Sequence, residues 1–393
     1  MKEGEHTLKG DNKKLYEKSL MQNQKQHLHG TSSASIVQKP GRMYLSCSVE
    51  DAGLAEEALR HLTGITGWAR AKAVEKDTNT VIAASVACAK EAIEKGFLHK
   101  TFKVDARRSD KSFPLNSPAL CAAAGEKILE AFPELTVDVH HPEQTIRVEV
   151  REKAFVYGHE EKGLRGLPAG TGGRGLLLLS GGIDSPVAGF EMMRRGMKLE
   201  AMYFHAYPYT GNEAREKVER LANIVGAYAA AVPGKAGLPL HVINFTDVQI
   251  ALRDRLLQMQ ASEWGTVMLR MAMMEAADLL ARKRRLACII TGESLAQVAS
   301  QTVHNIACTQ SRLGLAPNHY PLPVLRPLIG TDKEDIITLS KKIGAYDTSI
   351  EPYPDCCTLF SPPHPVIHGR VEEANRIYEA LELSELIYSS GAK

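Results

Sequence analysis

Leu176-Leu177-Leu178-Leu179-Ser180-Gly181-Gly182-Ile183-Asp184-Ser185-Pro186 decides how the second half of this 393-residue chain folds. Four consecutive leucines suit a strand buried on both faces of a parallel sheet. The glycine pair ends the strand, and Pro186 fits the first turn of a helix, where its missing N–H would have no partner anyway. Between strand and helix, two glycines let the backbone come close to an anion. The Ser180 and Ser185 hydroxyls add donors, and the helix N-terminus brings unpaired N–H groups with a partial positive charge. Together these suit a pyrophosphate. Asp184 is out of character, because a carboxylate repels phosphates unless Mg²⁺ lies between them or the acid supports a reacting group; the bland alternative is a helix cap. The run lacks the GxxxxGK[ST] of the P-loop enzymes that transfer a terminal phosphoryl group.

Downstream, residues 186–195 read as a helix, 199–205 as a second strand, 213–226 as a helix and 241–245 as a third strand. Long helices are expected over 247–258 and 263–282, followed by a strand over 286–291. This alternation predicts a doubly wound α/β sheet, whose ligands bind at the carboxyl ends of its strands. The loop after Leu179 and the loop after Thr291 are then the candidate site. Arg270 shares a helix face with Val267, Met271 and Met274, where an unpaired charge is costly, so a phosphate or else a carboxylate is expected opposite it.

Upstream, the glycine-rich run over 163–175 breaks helices and strands alike and marks a linker at 161–175. No strand immediately precedes it, as a dinucleotide fingerprint requires. The region before it reads as small α+β modules. A basic helix over 13–26, a strand over 42–47 and a helix over 54–62 come first; then a strand over 71–74, a helix over 81–95, a strand over 101–106 and a helix over 118–132. Segments 135–139 and 145–150 are expected to pair as an antiparallel hairpin.

Residues 1–43 carry eight Lys/Arg against four acids, and Lys100, Lys103, Arg107, Arg108 and Lys111 form a second basic stretch. Such stretches are either phosphate-binding surfaces or ordinary solvated faces. Seven scattered cysteines without CxxC spacing argue against structural disulfides and metal clusters; no metal site is expected. With no apolar run near ~18–20 residues and no signal-peptide core at the start, the expected location is the cytoplasm, away from membranes.

Ser180–Ser185 resembles the PP-loop of the N-type ATP pyrophosphatases, which cleave ATP to AMP and pyrophosphate. Thr291-Gly292-Glu293-Ser294-Leu295-Ala296-Gln297-Val298-Ala299-Ser300-Gln301-Thr302, Leu325-Arg326-Pro327-Leu328 and Pro354-Asp355-Cys356-Cys357-Thr358 narrow the resemblance to the tRNA 4-thiouridine synthase (tRNA sulfurtransferase) family. Gly4-Glu5-His6-Thr7-Leu8-Lys9-Gly10 looks like that family's N-terminal signature, and the middle block looks like its THUMP RNA-binding domain.

The resemblance implies a ferredoxin-like domain over 1–56, THUMP over 57–160 and a PP-loop domain over 176–393. It implies ATP contacts at Leu178, Leu179, Ser180, Gly181, Gly182, Asp184, Ser185, Tyr203, Phe204, Arg270, Gly292 and Gln301, with Mg²⁺ as cofactor. It further implies adenylation of uridine 8 of tRNA, with Asp184 catalytic and Cys357 carrying persulfide sulfur. Cys356 is a neighbour, a second sulfur carrier or a bystander, since vicinal cysteines rarely close an unstrained disulfide. Lys103, Arg107, Arg108 and Lys111 are the expected contacts to the RNA backbone. The opening strand of the family is expected to be missing, and residues 232–239 look like an insertion. No rhodanese-like domain is expected after the PP-loop domain, and sulfur is expected from a cysteine desulfurase. A thiamine-pathway sulfur-carrier protein and a second copy of the chain are further partners the family implies. Two rival readings stand beside this one: an ATP pyrophosphatase that forms an amide on a small metabolite, and an RNA-binding protein with a decayed nucleotide site.

Overall fold

The computed structural model describes residues 1–5, 10–39, 42–229, 237–315, 319–353, 356 and 362–392. The first part of the chain forms β1 (Lys2–Glu3), α1 (Lys13–His27), β2 (Ser35–Lys39), β3 (Arg42–Ser46), α2 (Ala52–Arg60), β4 (Ile65–Trp68) and β5 (Lys72–Val74). It continues through α3 (Thr78–Glu94), β6 (Thr101–Arg108), α4 (Ser117–Ala131), β7 (Thr136–Val137), β8 (Gln144–Val150), β9 (Ala154–Tyr157) and β10 (Glu161–Lys162). After the glycine-rich run come β11 (Arg174–Leu178), α5 (Asp184–Arg194), β12 (Lys198–His205), α6 (Asn212–Gly226), β13 (Leu240–Asn244), α7 (Thr246–Gln258) and α8 (Gly265–Lys283). The chain ends with β14 (Cys288–Ile290), α9 (Val303–Gln310), β15 (Val324–Leu325), α10 (Lys333–Lys342), α11 (Tyr346–Ser349), α12 (Val371–Ala380) and α13 (Ser384–Ile387). No helix among the described residues is long and apolar enough to cross a membrane.

Two units emerge: residues 1–3, 37–45 and 65–163 form one, and residues 4–36, 46–64 and 164–393 the other. In the first, a five-stranded sheet of order β5-β9-β8-β6-β7 packs Phe102, Ile146, Val148 and Val156 against Val81, Leu120 and Ile128 of α3 and α4. The expected hairpin of 135–139 with 145–150 does not form: β7 and β8 each run parallel to β6, on its two sides. The cause is the turn between them. Asp138 accepts the N–H groups of His140 and His141, while Glu143 accepts those of His99, Lys100 and Thr101, which steers the chain past the end of β6. β8 then finds its antiparallel partner in β9. The opening strand expected to be missing is present in short form, since β1 pairs antiparallel with β4, Lys2 opposite Gly67.

The second unit holds a parallel sheet of order β13-β12-β11-β14-β15. The leucines of β11 alternate between two buried faces, as period two demands. Leu176 packs with α7, α8 and α12, whereas Leu177 and Leu179 pack with α5, α6 and α10. Because β12 and β14 flank β11 on opposite sides, the loop leaving β11 sits where the strand order reverses. The glycine-rich run is held rather than slack. Leu167 bridges Arg195 in parallel, and a Cβ on Gly166 would lie 2.0 Å from the Arg194 carbonyl, a contact only glycine permits.

Candidate active site

At the carboxyl end of β11 the chain turns through Ser180–Ile183 into α5, whose first residue is Asp184. The turn is braced from within. Ser185 Oγ accepts the Ser180 N–H at 2.9 Å and lies 3.1 Å from Ser180 Oγ, which accepts the Gly182 N–H at 3.3 Å. Ser185 is buried, so its hydroxyl shapes the loop from inside. On the far side, a Cβ on Gly292 would lie 2.7 Å from the Ser185 N. The loop after β14 can therefore touch the first turn of α5 only because that residue is glycine.

A cavity of about 240 Å³ opens between these loops. Leu178, Leu179, Ser180, Gly182, Asp184 and Ser185 line it from the β11 side, Tyr203 and Phe204 from the end of β12, and Arg270, Gly292 and Gln301 from across the cleft. Gly181 instead faces Lys217 of α6, whose Nζ would lie 3.5 Å from a Cβ built there. Met273 and Met274 complete an apolar wall suited to a flat heterocycle. Gln301 is 6% exposed, and its side-chain oxygen has no hydrogen-bond partner among the described residues. A buried acceptor left open this way suits a ligand N–H or O–H.

Two charge arrangements frame the cavity. Glu293 is buried and accepts hydrogen bonds from Arg326 Nε at 2.7 Å and Thr291 Oγ1 at 2.9 Å. Arg270 stands 3.6 Å from the other oxygen of Glu293, so a carboxylate does lie opposite it, but at a distance that leaves guanidinium donors for an anion. Lys333 Nζ donates to Asp184 Oδ1 at 2.5 Å and Gln297 Nε2 to Oδ2 at 3.2 Å. Behind the loop, Lys217 Nζ donates to the Glu351 carbonyl at 2.8 Å, and Ser349 Oγ to the Gly182 carbonyl at 3.4 Å. These contacts bring the segment that leads to the cysteine pair onto the phosphate loop.

Cys356 lines the cavity, and its carbonyl accepts the Gln249 amide at 3.2 Å. Cys357 lies outside the described residues, as does most of the expected insertion at 232–239. Elsewhere burial pushes the thiols of Cys88 and Cys288 up to about 11, making them poor nucleophiles. Of the expected RNA contacts, Arg107 and Lys111 are exposed. Arg108 donates to the carbonyls of Lys111 and Phe113 and so shapes that loop, while Lys103 reaches the Val139 carbonyl at 3.4 Å.

Sequence reasoning assigned no site role to Met273, Met274, Gln297, Lys217 or Lys333. The methionines look like core on an apolar helix, and Lys333 carries no local motif. The one faint signal is its position: a lysine opening a helix opposes the dipole there.

Family models match residues 170–383 as the thiamine biosynthesis protein (ThiI), 75–157 as a THUMP domain and 1–69 as the ThiI ferredoxin-like domain. A "probable tRNA sulfurtransferase" of Treponema pallidum (strain Nichols) is 45% identical over 98% of this chain and 91% of its own length. One from Caldanaerobacter subterraneus subsp. tengcongensis is 39% identical over 98% and 96%. The crystal structure of a 4-thiouridine synthetase–RNA complex with bound ATP superposes with a TM-score of 0.87 at 31% identity, covering 100% of this chain and 96% of that one. With a family model spanning more than half of its residues and relatives aligned nearly end to end, this chain belongs to the thiamine biosynthesis protein (ThiI) family.

Proposed function

We propose that this chain is an ATP-dependent tRNA sulfurtransferase that adenylates the C4 oxygen of uridine 8 and replaces it with sulfur, giving 4-thiouridine. The observation that carries this reading is one cavity that joins the Ser180–Ser185 loop, an open buried acceptor at Gln301, Arg270 and the cysteine segment at Cys356. The ATP and RNA held by the 31%-identical synthetase support it.

In this reading the apolar wall of Leu178, Phe204 and Met274 takes adenine. Gly181 and Gly182 let the loop backbone meet the phosphates, and Arg270 binds charge that grows on them as the α-phosphate is attacked. Lys333 orients Asp184, whose two oxygens keep spare lone pairs and so fit a Mg²⁺ shared with the phosphates. Bound there, Mg²⁺ would neutralise the departing pyrophosphate. The terminal sulfur of a persulfide on Cys357 then attacks C4 and AMP leaves, joining uridine to Cys357 through a disulfide. A thiol reductant attacks the Cys357 sulfur, 4-thiouridine leaves with the outer sulfur, and a second thiol equivalent reduces the disulfide left on Cys357.

The ferredoxin-like (1–56) and THUMP (57–160) regions hold tRNA, joined through 161–175 to the PP-loop domain at 176–393. A cysteine desulfurase supplies the sulfur. Delivery of sulfur to a carrier protein for thiazole synthesis and a homodimeric assembly complete the proposal. Pyrophosphate release tests the reading: unmodified tRNA should stimulate it. Stimulation by a small acid alone would support an amide-forming enzyme, and no release at all a non-catalytic RNA-binding protein.

A further inference from the structure

Tyr203 lines the nucleotide cavity, and the chain runs straight from it toward solvent. Residues 203, 205 and 207 fall on one side of the chain at the strand period of two. Their rings form a row, with Tyr203 and His205 centroids 5.9 Å apart and His205 and Tyr207 centroids 6.3 Å apart. Tyr203 is 1% exposed, His205 9% and Tyr207 58%, so the row starts in the cavity wall and ends in water.

The loop that carries Tyr207 is fixed. Thr210 Oγ1 accepts the Ala206 N–H at 3.0 Å, the Thr210 N–H returns to the Ala206 carbonyl at 2.9 Å, and Thr246 Oγ1 of α7 donates to the Tyr207 carbonyl at 2.7 Å. One turn further along α7, Gln249 holds the Cys356 carbonyl. Residues three apart on a helix are neighbours on its surface. One helix thus holds the backbones of both Tyr207 and Cys356, and Cys356, like Tyr203, lines the cavity.

Chemistry on a nucleobase requires the base to leave its stack, and an extruded base is held by stacking on an aromatic ring. We propose that Tyr207 is the surface on which the target uracil stacks while its C4 oxygen is activated, making it a positioning residue specific to the RNA substrate. A solvent-exposed large aromatic ring on a hydrogen-bonded loop, linked by its ring row to the cavity wall and by one helix to the Cys356 backbone, suits that role. Tyr209, whose hydroxyl interacts with Arg253, flanks it.

The proposal rests on the sulfurtransferase reading above. Its test is single-turnover thiolation of unmodified tRNA by the full-length protein, with tRNA and ATP affinities measured in parallel. Tyr207→Ala should slow thiolation by about tenfold or more, the cost of misplacing a reacting group, while both affinities and the melting temperature stay at wild-type values. Tyr207→Phe and Tyr207→Trp should restore the rate, because the ring and not the hydroxyl does the stacking. Wild-type rates for Tyr207→Ala, or equal losses for Ala and Phe, would overturn the proposal. A loss confined to tRNA affinity would overturn it too, by making Tyr207 a general RNA contact. If the wild-type protein thiolates no tRNA, the sulfurtransferase reading fails, and this inference with it.

Discussion

Lys333 and Asp184, 149 residues apart in the chain, are joined by a 2.5 Å hydrogen bond between ammonium and carboxylate. Each opens a helix, α10 and α5 respectively. Asp184 suits its helix start, but Lys333 is the wrong charge for one, which costs its helix roughly 0.3–1 kcal/mol. Glu334 and Asp335 in the same turn offset this. The contact with Asp184 gives this lysine a partner across the site.

Replacing Lys333 with Met should therefore separate activity from stability. The pair is partly exposed, so unfolding free energy should change by no more than about 1 kcal/mol. Pyrophosphate formation should fall by roughly 10²-fold or more, as when a positioned charge is removed from a transition state. Melting curves and a pyrophosphate assay on the same preparation check both.

Arg270 and Arg326 share Glu293 but should respond in opposite ways. Arg326→Ala leaves a buried carboxylate without its tight partner and should cost about 3 kcal/mol of stability, read by denaturant unfolding. Arg270→Ala removes a looser and more exposed contact. It should leave stability near wild type and weaken ATP binding by tenfold or more, read by calorimetry.

Acid should weaken the protein in two stages. Burial, with His61 adding to it, pushes His27 down to about 4 from its ordinary 6.5. Its charged form is thus penalised in the fold, and stability falls as pH drops from 6.5 toward 4. Burial tends to raise the carboxyls of Glu200 and Glu149. Arg284, His241 and Arg174 outweigh this at Glu200, as do Arg42, Tyr157 and Arg151 at Glu149, and both are held at about 2. Their contribution is complete above about 4.5 and is lost as pH falls to 2. Melting temperature against pH should show both stages, and His27→Gln should flatten only the first.

Among the basic residues of the THUMP region, Arg107 and Lys111 are exposed, whereas Arg108 is occupied with its own loop. Arg107→Ala and Lys111→Ala should each lower the slope of log affinity for tRNA against log salt by about one, without loss of stability. Arg108→Ala should instead lower the melting temperature. Salt titrations of tRNA binding decide this.

The parallel sheet and the strand–loop–helix turn at Ser180–Ser185 were legible in the chain because their signals are local. Four leucines, two glycines and a proline fall within eleven residues, and the cavity gathers Leu178, Tyr203, Arg270, Gly292 and Gln301. Long-range pairing was not legible. The register of β7 and β8 depends on side chains that cap the end of β6, and two short alternating segments read equally well as a hairpin. Lys333 meets Asp184 only once the sheet has formed. Nothing local to Gln301 marks it; only the resemblance named it, and its burial leaves its oxygen open.

The central claim is tested most directly by nucleoside mass spectrometry of tRNA. An unmodified transcript would be incubated with the full-length protein, ATP, Mg²⁺, cysteine and a cysteine desulfurase. Wild-type protein should place 4-thiouridine at position 8, and Asp184→Asn and Cys357→Ser should leave the transcript unmodified. No thiouridine with the wild-type protein, or wild-type levels in both variants, would contradict the account.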